Sequence, residues 1–191
     1  MKKIEIPVGI SARHIHLCKE DLEVLFGEGA ELHPIKTLMG GQYAADERVT
    51  VVGSNGRQLE NVRILGPLRS ETQIEVSKTD AMFLKVQAPL RDSGDIAATP
   101  GVTLIGPKGQ VTLDKGCIVA KRHVHMSNED AKAFGLCDKQ LISLDFDGER
   151  KGTLHDVLVR VHESFTLELH IDTDEANALD VKPNQVVAYQ A

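Results

Sequence analysis

Two short clusters hold the residues of this chain best suited to chemistry: Arg13-His14-Ile15-His16 and Arg122-His123-Val124-His125. In a β-strand alternate residues face one side, so each His-x-His sets two imidazoles on one surface. Two imidazoles from one strand, joined by a third donor from elsewhere, are a common way to hold zinc or a similar metal. A second copy of the arrangement implies two metals, or one site built by duplication.

A weaker repeat supplies the third donors. Ile74-Glu75-Val76-Ser77-Lys78-Thr79-Asp80-Ala81 can be laid on Leu169-His170-Ile171-Asp172-Thr173-Asp174-Glu175-Ala176, and Leu84 and Val86 then fall on Leu179 and Val181. Glu75 stands opposite His170 in that register. The candidate ligand sets are His14, His16 and Glu75 in one half, and His123, His125 and His170 in the other. Three protein donors with an open position are the pattern of catalytic zinc rather than closed structural zinc. A lone His-x-His on a strand is more often a polar face than a metal site, but duplication of the whole block reverses that weighting. His33, His155 and His162 have no repeat partner; the first reads as a loop residue, the others as surface or packing histidines.

The elements that must position these groups repeat too. Leu17-Cys18-Lys19-Glu20-Asp21 runs on to Phe26-Gly27, and Met126-Ser127-Asn128-Glu129-Asp130 to Phe134-Gly135. A polar residue followed by Glu-Asp reads as a helix start with acidic groups at its positive end, and Phe-Gly as a helix end. Short helices are expected at about 19–26, 78–84, 128–134 and 173–179. Most of the remainder alternates in the manner of short strands, as in Arg48–Gly53, Asn61–Gly66, Val102–Gly106, Leu141–Leu144 and Val157–Val161, separated by turns such as Ser54-Asn55-Gly56. The expected fold is mainly β: two similar small β-barrels related by a pseudo-twofold internal duplication and capped by short α-helices. The Pro-, Gly- and Ser-containing stretch 88–101 divides the chain into a first half, 1–87, and a second, 102–191, packed as one compact unit.

Composition narrows the functional classes. The chain of 191 residues has net charge −6, which argues against nonspecific nucleic-acid binding but leaves room for a local basic pocket. Aromatics make up 4% and Trp is absent, so the core must rest on Val, Ile, Leu and Ala. Cys18, Cys117 and Cys137 form no CxxC and read as reduced thiols. No apolar run is long enough to span a membrane, and Met1-Lys2-Lys3 leads directly into a strand-like Ile4-Glu5-Ile6-Pro7 rather than a signal peptide. An edge strand near residues 4–10 would allow pairing between subunits, so a homodimer is one expectation.

Anion chemistry is the next signal. Gly66-Pro67-Leu68-Arg69 fixes a tight loop and aims a guanidinium, whose planar fork suits phosphate or carboxylate. Arg63 and Arg91 are further candidates. Arg13 and Arg122 adjoin the histidines but alternate to the opposite strand face.

These elements, together with Arg69-Ser70-Glu71-Thr72-Gln73-Ile74-Glu75-Val76-Ser77 and Ala88-Pro89-Leu90-Arg91-Asp92-Ser93-Gly94, resemble the PduL-type phosphate propanoyltransferases, phosphotransacylases associated with propanediol-using microcompartments and with acetate metabolism. The resemblance runs from about Val8 to Val187. It implies two β-barrels with a dinuclear zinc site between them, ligated by His14, His16, Glu75, His123, His125 and His170. It further implies phosphate binding by Arg69, and coenzyme A contacts at Ile10, Ser11, Ala12, Arg63 and Asn177, with another near Gly56 or Arg57. Where that family often carries Asn, this chain has Ala12, so a backbone contact is expected there.

The implied reaction is reversible transfer of a propanoyl or acetyl group between coenzyme A and phosphate, by direct attack of bound phosphate and without an acyl-enzyme. Two zinc ions are the expected cofactors, other divalent metals being alternatives. Acyl-CoA and phosphate are the expected partners, with no nucleic acid and no membrane. Microcompartment versions carry an amphipathic N-terminal extension; Ile4-Glu5-Ile6-Pro7 does not read as one, so a cytoplasmic enzyme is expected over a microcompartment one. Two rival classes remain: a metal-dependent acyl-CoA thioesterase, and a non-catalytic metal-binding module.

Overall fold

The computed structural model describes residues 3–190. In chain order the elements are β1 (Lys3–Ser11), β2 (His14–His16), α1 (Lys19–Phe26), β3 (Pro34–Thr37), β4 (Tyr43–Val52), β5 (Gln58–Gly66), β6 (Gln73–Glu75), α2 (Lys78–Phe83), β7 (Leu90–Arg91), β8 (Thr103–Ile105), β9 (Gln110–Thr112) and β10 (Cys117–Ala120). They continue with β11 (His123–Met126), α3 (Asn128–Phe134), β12 (Leu141–Phe146), β13 (Gly152–Val161), β14 (Glu168–Asp172), α4 (Thr173–Ala178) and β15 (Val186–Gln190). The fold is mainly β, as the alternation predicts, and the four helices fall where the sequence places them. None of the described helices is long and apolar enough to cross a membrane.

The helices stop and start for local reasons. Ser127 accepts from the Asp130 amide while the Asp130 carboxylate accepts from the Ser127 amide, a reciprocal cap at the start of α3. Gly135 ends that helix in the left-handed region with φ 69°. Asp172 and Glu175 make the same reciprocal cap on α4, and Ser77 caps α2 at the Asp80 amide.

One unit comprises residues 3–12 and 121–190. It is a closed barrel in the order β1-β14-β11-β13-β12-β15. Its core is Ile4, Ile6, Val124, Met126, Leu144, Phe146, Val157, Val159, Leu169 and Ile171, with no Trp. The other unit, residues 13–120, is a curled nine-stranded sheet in the order β7-β10-β6-β2-β5-β4-β8-β9, with β3 paired to β4. Ile15, Leu22, Leu25, Val51, Ile64, Ile74, Leu84 and Leu104 fill its core.

Strand pairing divides the chain differently from the cut expected at 88–101. β7 lies inside that stretch and pairs with β10, and Ala88 is 1% exposed in the core of the sheet. β8 and β10 pair with β4 and β6, so residues 102–120 belong with the first histidine cluster. The chain instead changes unit immediately before each Arg-His-x-His block. β1 runs parallel to β14, setting Gly9 against His170, and then continues to β2 in the other unit. β10 runs parallel to β6, setting Ile118 against Glu75, and then continues to β11. Each leading strand therefore lies beside the third donor of the cluster it does not lead into. The expectation of a free edge near residues 4–10 is also overturned: β1 pairs with β14 along one part and with β15 along another, because closing the barrel uses both its edges.

Candidate functional site

The first cluster is built by two short strands. β2 pairs antiparallel with β6 and sets His14 directly across from Glu75. Ile15 points into the core at 0% exposure, so His14 and His16 share the other face, yet they too are buried, at 8% and 2%. Their rings lie edge to face with centroids 5.1 Å apart, and His14 Nε2 is 3.5 Å from Glu75 Oε2. Burial, then the neighbouring His14 and the Arg69 charge, push His16 down to about 3, so its ring is neutral at pH 7. Burial pushes the Glu75 carboxyl up, but His14, the Ser93 hydroxyl, His16 and Arg69 together hold it below the ordinary carboxylate value.

Around Glu75 runs a connected polar network. The Ser93 hydroxyl donates to Glu75 Oε1 at 2.6 Å, and Gln73 Nε2 donates to the same oxygen at 2.7 Å. The Gly94 amide donates to Gln73 Oε1 at 2.8 Å, which ties the loop after β7 to this strand. Arg69 Nη2 lies 2.9 Å from His16 Nε2, and its Nη1 reaches Ser93 Oγ at 3.4 Å. The Arg69 amide donates to the Leu17 carbonyl at 2.9 Å, fixing the loop that follows β5.

In the barrel, β11 pairs antiparallel with β14 and sets His123 across from His170, the same register as His14 and Glu75. The ring centroids of His123 and His125 are 4.6 Å apart, those of His125 and His170 4.7 Å, and those of His123 and His170 5.2 Å. Phe165 packs on His125 at 4.3 Å and shields one ring face from water. Burial, His123, His170 and then Arg160 push His125 down to about 2. The His123 Nδ1–H donates to the Lys121 carbonyl at 2.8 Å, which fixes the ring's orientation on β11. Glu168 Oε2 accepts from His170 Nε2 at 2.8 Å. That carboxylate sits beside Gly9, where a Cβ would come within 2.9 Å of it, so a larger residue there would make the Glu168 side chain shift.

Both groups suit a divalent metal. In each, the three candidate donor atoms lie within 4.8 Å of one another. A tetrahedral zinc shell spaces such atoms about 3.3 Å apart, so small side-chain rotations complete it. His16 Nδ1 and His125 Nδ1 are buried and have no hydrogen-bond partner among the described residues, an expense that folded proteins rarely accept. Neutral imidazoles with an ionised carboxylate are the protonation states that metal binding requires.

The other sequence candidates divide. Arg13 forms a two-point ion pair with Asp80 at 2.8 Å, and Arg122 pairs with Glu175 at 2.7 Å. Asp80 and Glu175 are equivalent in the repeat, so both arginines tie a helix start to a histidine strand. Arg91 sits 3.6 Å from Asp95. Ile10 and Ser11 pair with Ile171 and Asp172 at the end of β14, and Ala12 follows them. Asn177 is on α4, which packs on β1, so the structure brings this part of the expected coenzyme A set into one unit. Arg63 lies in the other unit, beside His14 on β5, and donates to the Ala45 carbonyl. Gly56 occupies a turn at φ 76°, and the Arg57 guanidinium lies 5.2 Å from the Phe83 ring. His33 is a loop residue paired with Glu47, and His155 and His162 are exposed. Sequence reasoning missed Gln73, Ser93, Phe165 and Glu168. One signal was available for two of them: Gln73 and Glu168 both stand two residues before a third donor.

Comparison with known proteins bears on the family. The family model described as phosphate propanoyltransferase matches residues 7–182. The chain is 53% identical over 182 residues to the phosphate propanoyltransferase of Lachnoclostridium phytofermentans, covering 95% of this chain and 85% of that protein. It is 53% identical over 188 residues to that of Thermotoga maritima, covering 97% and 89%. With that of Citrobacter freundii it shares 49% identity over 193 aligned positions, covering 98% and 90%.

Proposed function

This chain belongs to the phosphate propanoyltransferase family and is an acyltransferase, and we propose that it moves a propanoyl or acetyl group reversibly between coenzyme A and inorganic phosphate by direct attack of bound phosphate, with two zinc ions, one in each histidine cluster. The observation that carries this reading is the Arg69 guanidinium 2.9 Å from His16 Nε2. An anion clamp beside a metal-competent cluster is what a phosphate acceptor needs and what a hydrolase using water does not.

Phosphate is a poor nucleophile in water and must be held and stripped of solvent next to the thioester. Arg69 donates two parallel hydrogen bonds to it. Ser93, bonded to Glu75 and within reach of Arg69, keeps clamp and cluster in one frame. In the first cluster, burial of His14, His16 and Glu75 limits competing water. Zinc, when bound, supplies positive charge for the phosphate oxygens and for the thioester carbonyl. A phosphate oxygen bonds to the carbonyl carbon, the carbon–sulfur bond breaks, and coenzyme A leaves as the thiolate, giving acyl phosphate. No enzyme nucleophile is required. Burial pushes the Cys117 thiol up to about 12 and also raises Cys18, so neither offers a thiolate.

The test is consumption of acetyl-CoA and propanoyl-CoA by purified protein with and without phosphate, alongside metal analysis. The expected result is phosphate-dependent release of coenzyme A, acyl phosphate as product, and about two zinc per chain, with activity lost in Arg69→Ala. Release without phosphate would make the protein a thioesterase. Bound metal without turnover would make it a metal-binding module, and a trapped acyl-cysteine would sink direct attack.

A further inference from the structure

Arg160 has no part in that scheme. It lies on β13, which runs parallel to β11, and is the register partner of His125. Register partners on neighbouring strands point to the same sheet face. Val157 and Val159 turn into the barrel core at 0% exposure, while Leu158 and Arg160 alternate outward beside His123 and His125. Arg160 thus leaves the wall on the histidine side, half-buried.

Its partners are the unusual part. Other arginines near the clusters are engaged: Arg13 with Asp80, Arg122 with Glu175, Arg63 with the Ala45 carbonyl, and Arg69 with His16 and Ser93. Arg160 makes no hydrogen bond or ion pair with any described residue. Acceptors are not scarce, since the chain carries 28 acidic against 22 basic residues. A part-buried guanidinium without a protein acceptor keeps its donor fork available to a ligand. Its charge also reaches His125, which makes it a poor neighbour for a divalent cation unless an anion lies between them.

The first cluster offers a parallel. His16 and His125 are equivalent in the repeat, and a guanidinium attends each. Arg69 arrives at His16 from a loop, whereas Arg160 stands next to His125 on the adjacent strand. Coenzyme A presents an uncharged thioester at its reacting end, its phosphates lying at the far end of a long arm. Of the two substrates that react in the forward direction, only phosphate brings a charge to the cluster. The thiolate appears only as the carbon–sulfur bond breaks, so the ground-state anion that the position of Arg160 suits is the phosphoryl group.

We propose that Arg160 is a substrate-binding residue that takes the phosphoryl group of inorganic phosphate, or of acyl phosphate in the reverse direction, at the second histidine cluster. This rests on the phosphate acyltransferase reading above and extends it to a residue outside the sequence candidates.

Steady-state kinetics of Arg160→Gln and Arg160→Lys test it in both directions, with calorimetric titration of inorganic phosphate into the zinc-loaded protein as an independent readout. For Arg160→Gln, the KM for phosphate and for acyl phosphate should each rise about 10- to 100-fold, the scale of a lost charge-assisted hydrogen bond in a dry site. The KM for acyl-CoA and for coenzyme A should stay within about twofold, and the calorimetric Kd for phosphate should weaken in step. Arg160→Lys should fall between, having the charge without the fork. Zinc content and the thermal midpoint should not move. A rise in KM for coenzyme A alone would overturn the proposal in favour of a contact to that substrate's own phosphates. A loss of zinc would make Arg160 a support for the cluster, and no change in phosphate binding would make it a surface charge. Wild-type protein that releases coenzyme A without phosphate would defeat the functional reading itself, and the calorimetric titration would still decide whether Arg160 holds phosphate.

Discussion

In the sheet of residues 13–120 the third candidate donor is a carboxylate, Glu75, held by two neutral hydrogen-bond donors, Ser93 and Gln73. In the barrel it is an imidazole, His170, held by a carboxylate, Glu168. Strand register is identical in the two, with Gln73 across from His16 and Glu168 across from His125. One negative charge is thus present at each cluster, but in the barrel it has moved one bond network further out. A divalent ion beside Glu75 keeps a net charge of about +1, and one beside three neutral imidazoles keeps about +2. With the proposed metals bound, the duplicated frame would make two centres of unequal electrophilic strength, the stronger in the barrel. Exposure differs less sharply: His14, His16 and Glu75 are all buried, as is His125 in the barrel, whereas His170 keeps 25% of its side-chain surface.

The widest break in the comparison comes from deleting one histidine at a time. His16→Ala and His125→Ala should each lower phosphate-dependent turnover about a thousandfold, the scale of several kcal/mol of lost charge stabilisation. Metal analysis of each variant should fall from about two zinc to about one per chain. Loss of both metals in either variant would mean that the clusters are not independent binding units.

Removing the supporting groups should do less and sharpen the contrast. Ser93→Ala should weaken zinc at the first cluster about 10- to 100-fold and spare the second, and Glu168→Gln should do the reverse. Chelator competition followed metal by metal measures this. Equal weakening of both centres by either variant would contradict the assignment of Ser93 to one and Glu168 to the other.

Acid stability separates the two donor types. His16 and His125 are held at about 3 and about 2, below the ordinary 6.5. In metal-free protein the unfolded chain takes up those protons first as pH falls. The stability these rings supply is therefore complete above about pH 6.5 and drains away below it. Glu75, whose folded value is depressed, adds a second loss that begins below about pH 4.5. Urea midpoints of chelator-treated protein should decline from about pH 6.5 downward, and Glu75→Gln should flatten only the lower part. A flat profile between pH 6.5 and 4.5 would show that the histidines are not buried and neutral.

The smallest expected effect is chemical. Cys137 is exposed while Cys18 and Cys117 are buried, so a thiol reagent should label one cysteine of the folded protein quickly and the other two only on unfolding. Rapid labelling of Cys117 would mean that the sheet core opens.

What the sequence discloses follows the range of the forces involved. Helix starts are written in three or four adjacent residues, so Ser127-Asn128-Glu129-Asp130 and Asp172-Thr173-Asp174-Glu175 could be read directly. The third donors became legible through duplication, which turns a distant pairing into a comparison of two nearby strings. Exchange of β1 and β10 left no such trace, because a parallel pairing such as Val8 with Leu169 is decided by partners far away in the chain. The stretch 88–101 misled for the same reason: its Pro and Gly content describes a loop, and only the pairing of β7 with β10 assigns it to a unit. Arg160 was hidden inside an ordinary alternating strand. Its position matters only once β13 is known to lie beside β11.

The route of β1 also sets an order of events during synthesis. Residues 13–120 form an unbroken stretch, so every strand of the curled sheet is translated, and leaves the ribosome, ahead of the second histidine block. The barrel cannot close that way. β1 emerges early and waits for β14 and β15, near the other end of the chain, with its hydrogen-bonding edges unpaired and Ile4 and Ile6 without their core. A nascent chain passes through a period in which one half is complete and the other exposes a strand in need of a partner, the interval in which a second chain or a chaperone would compete for it.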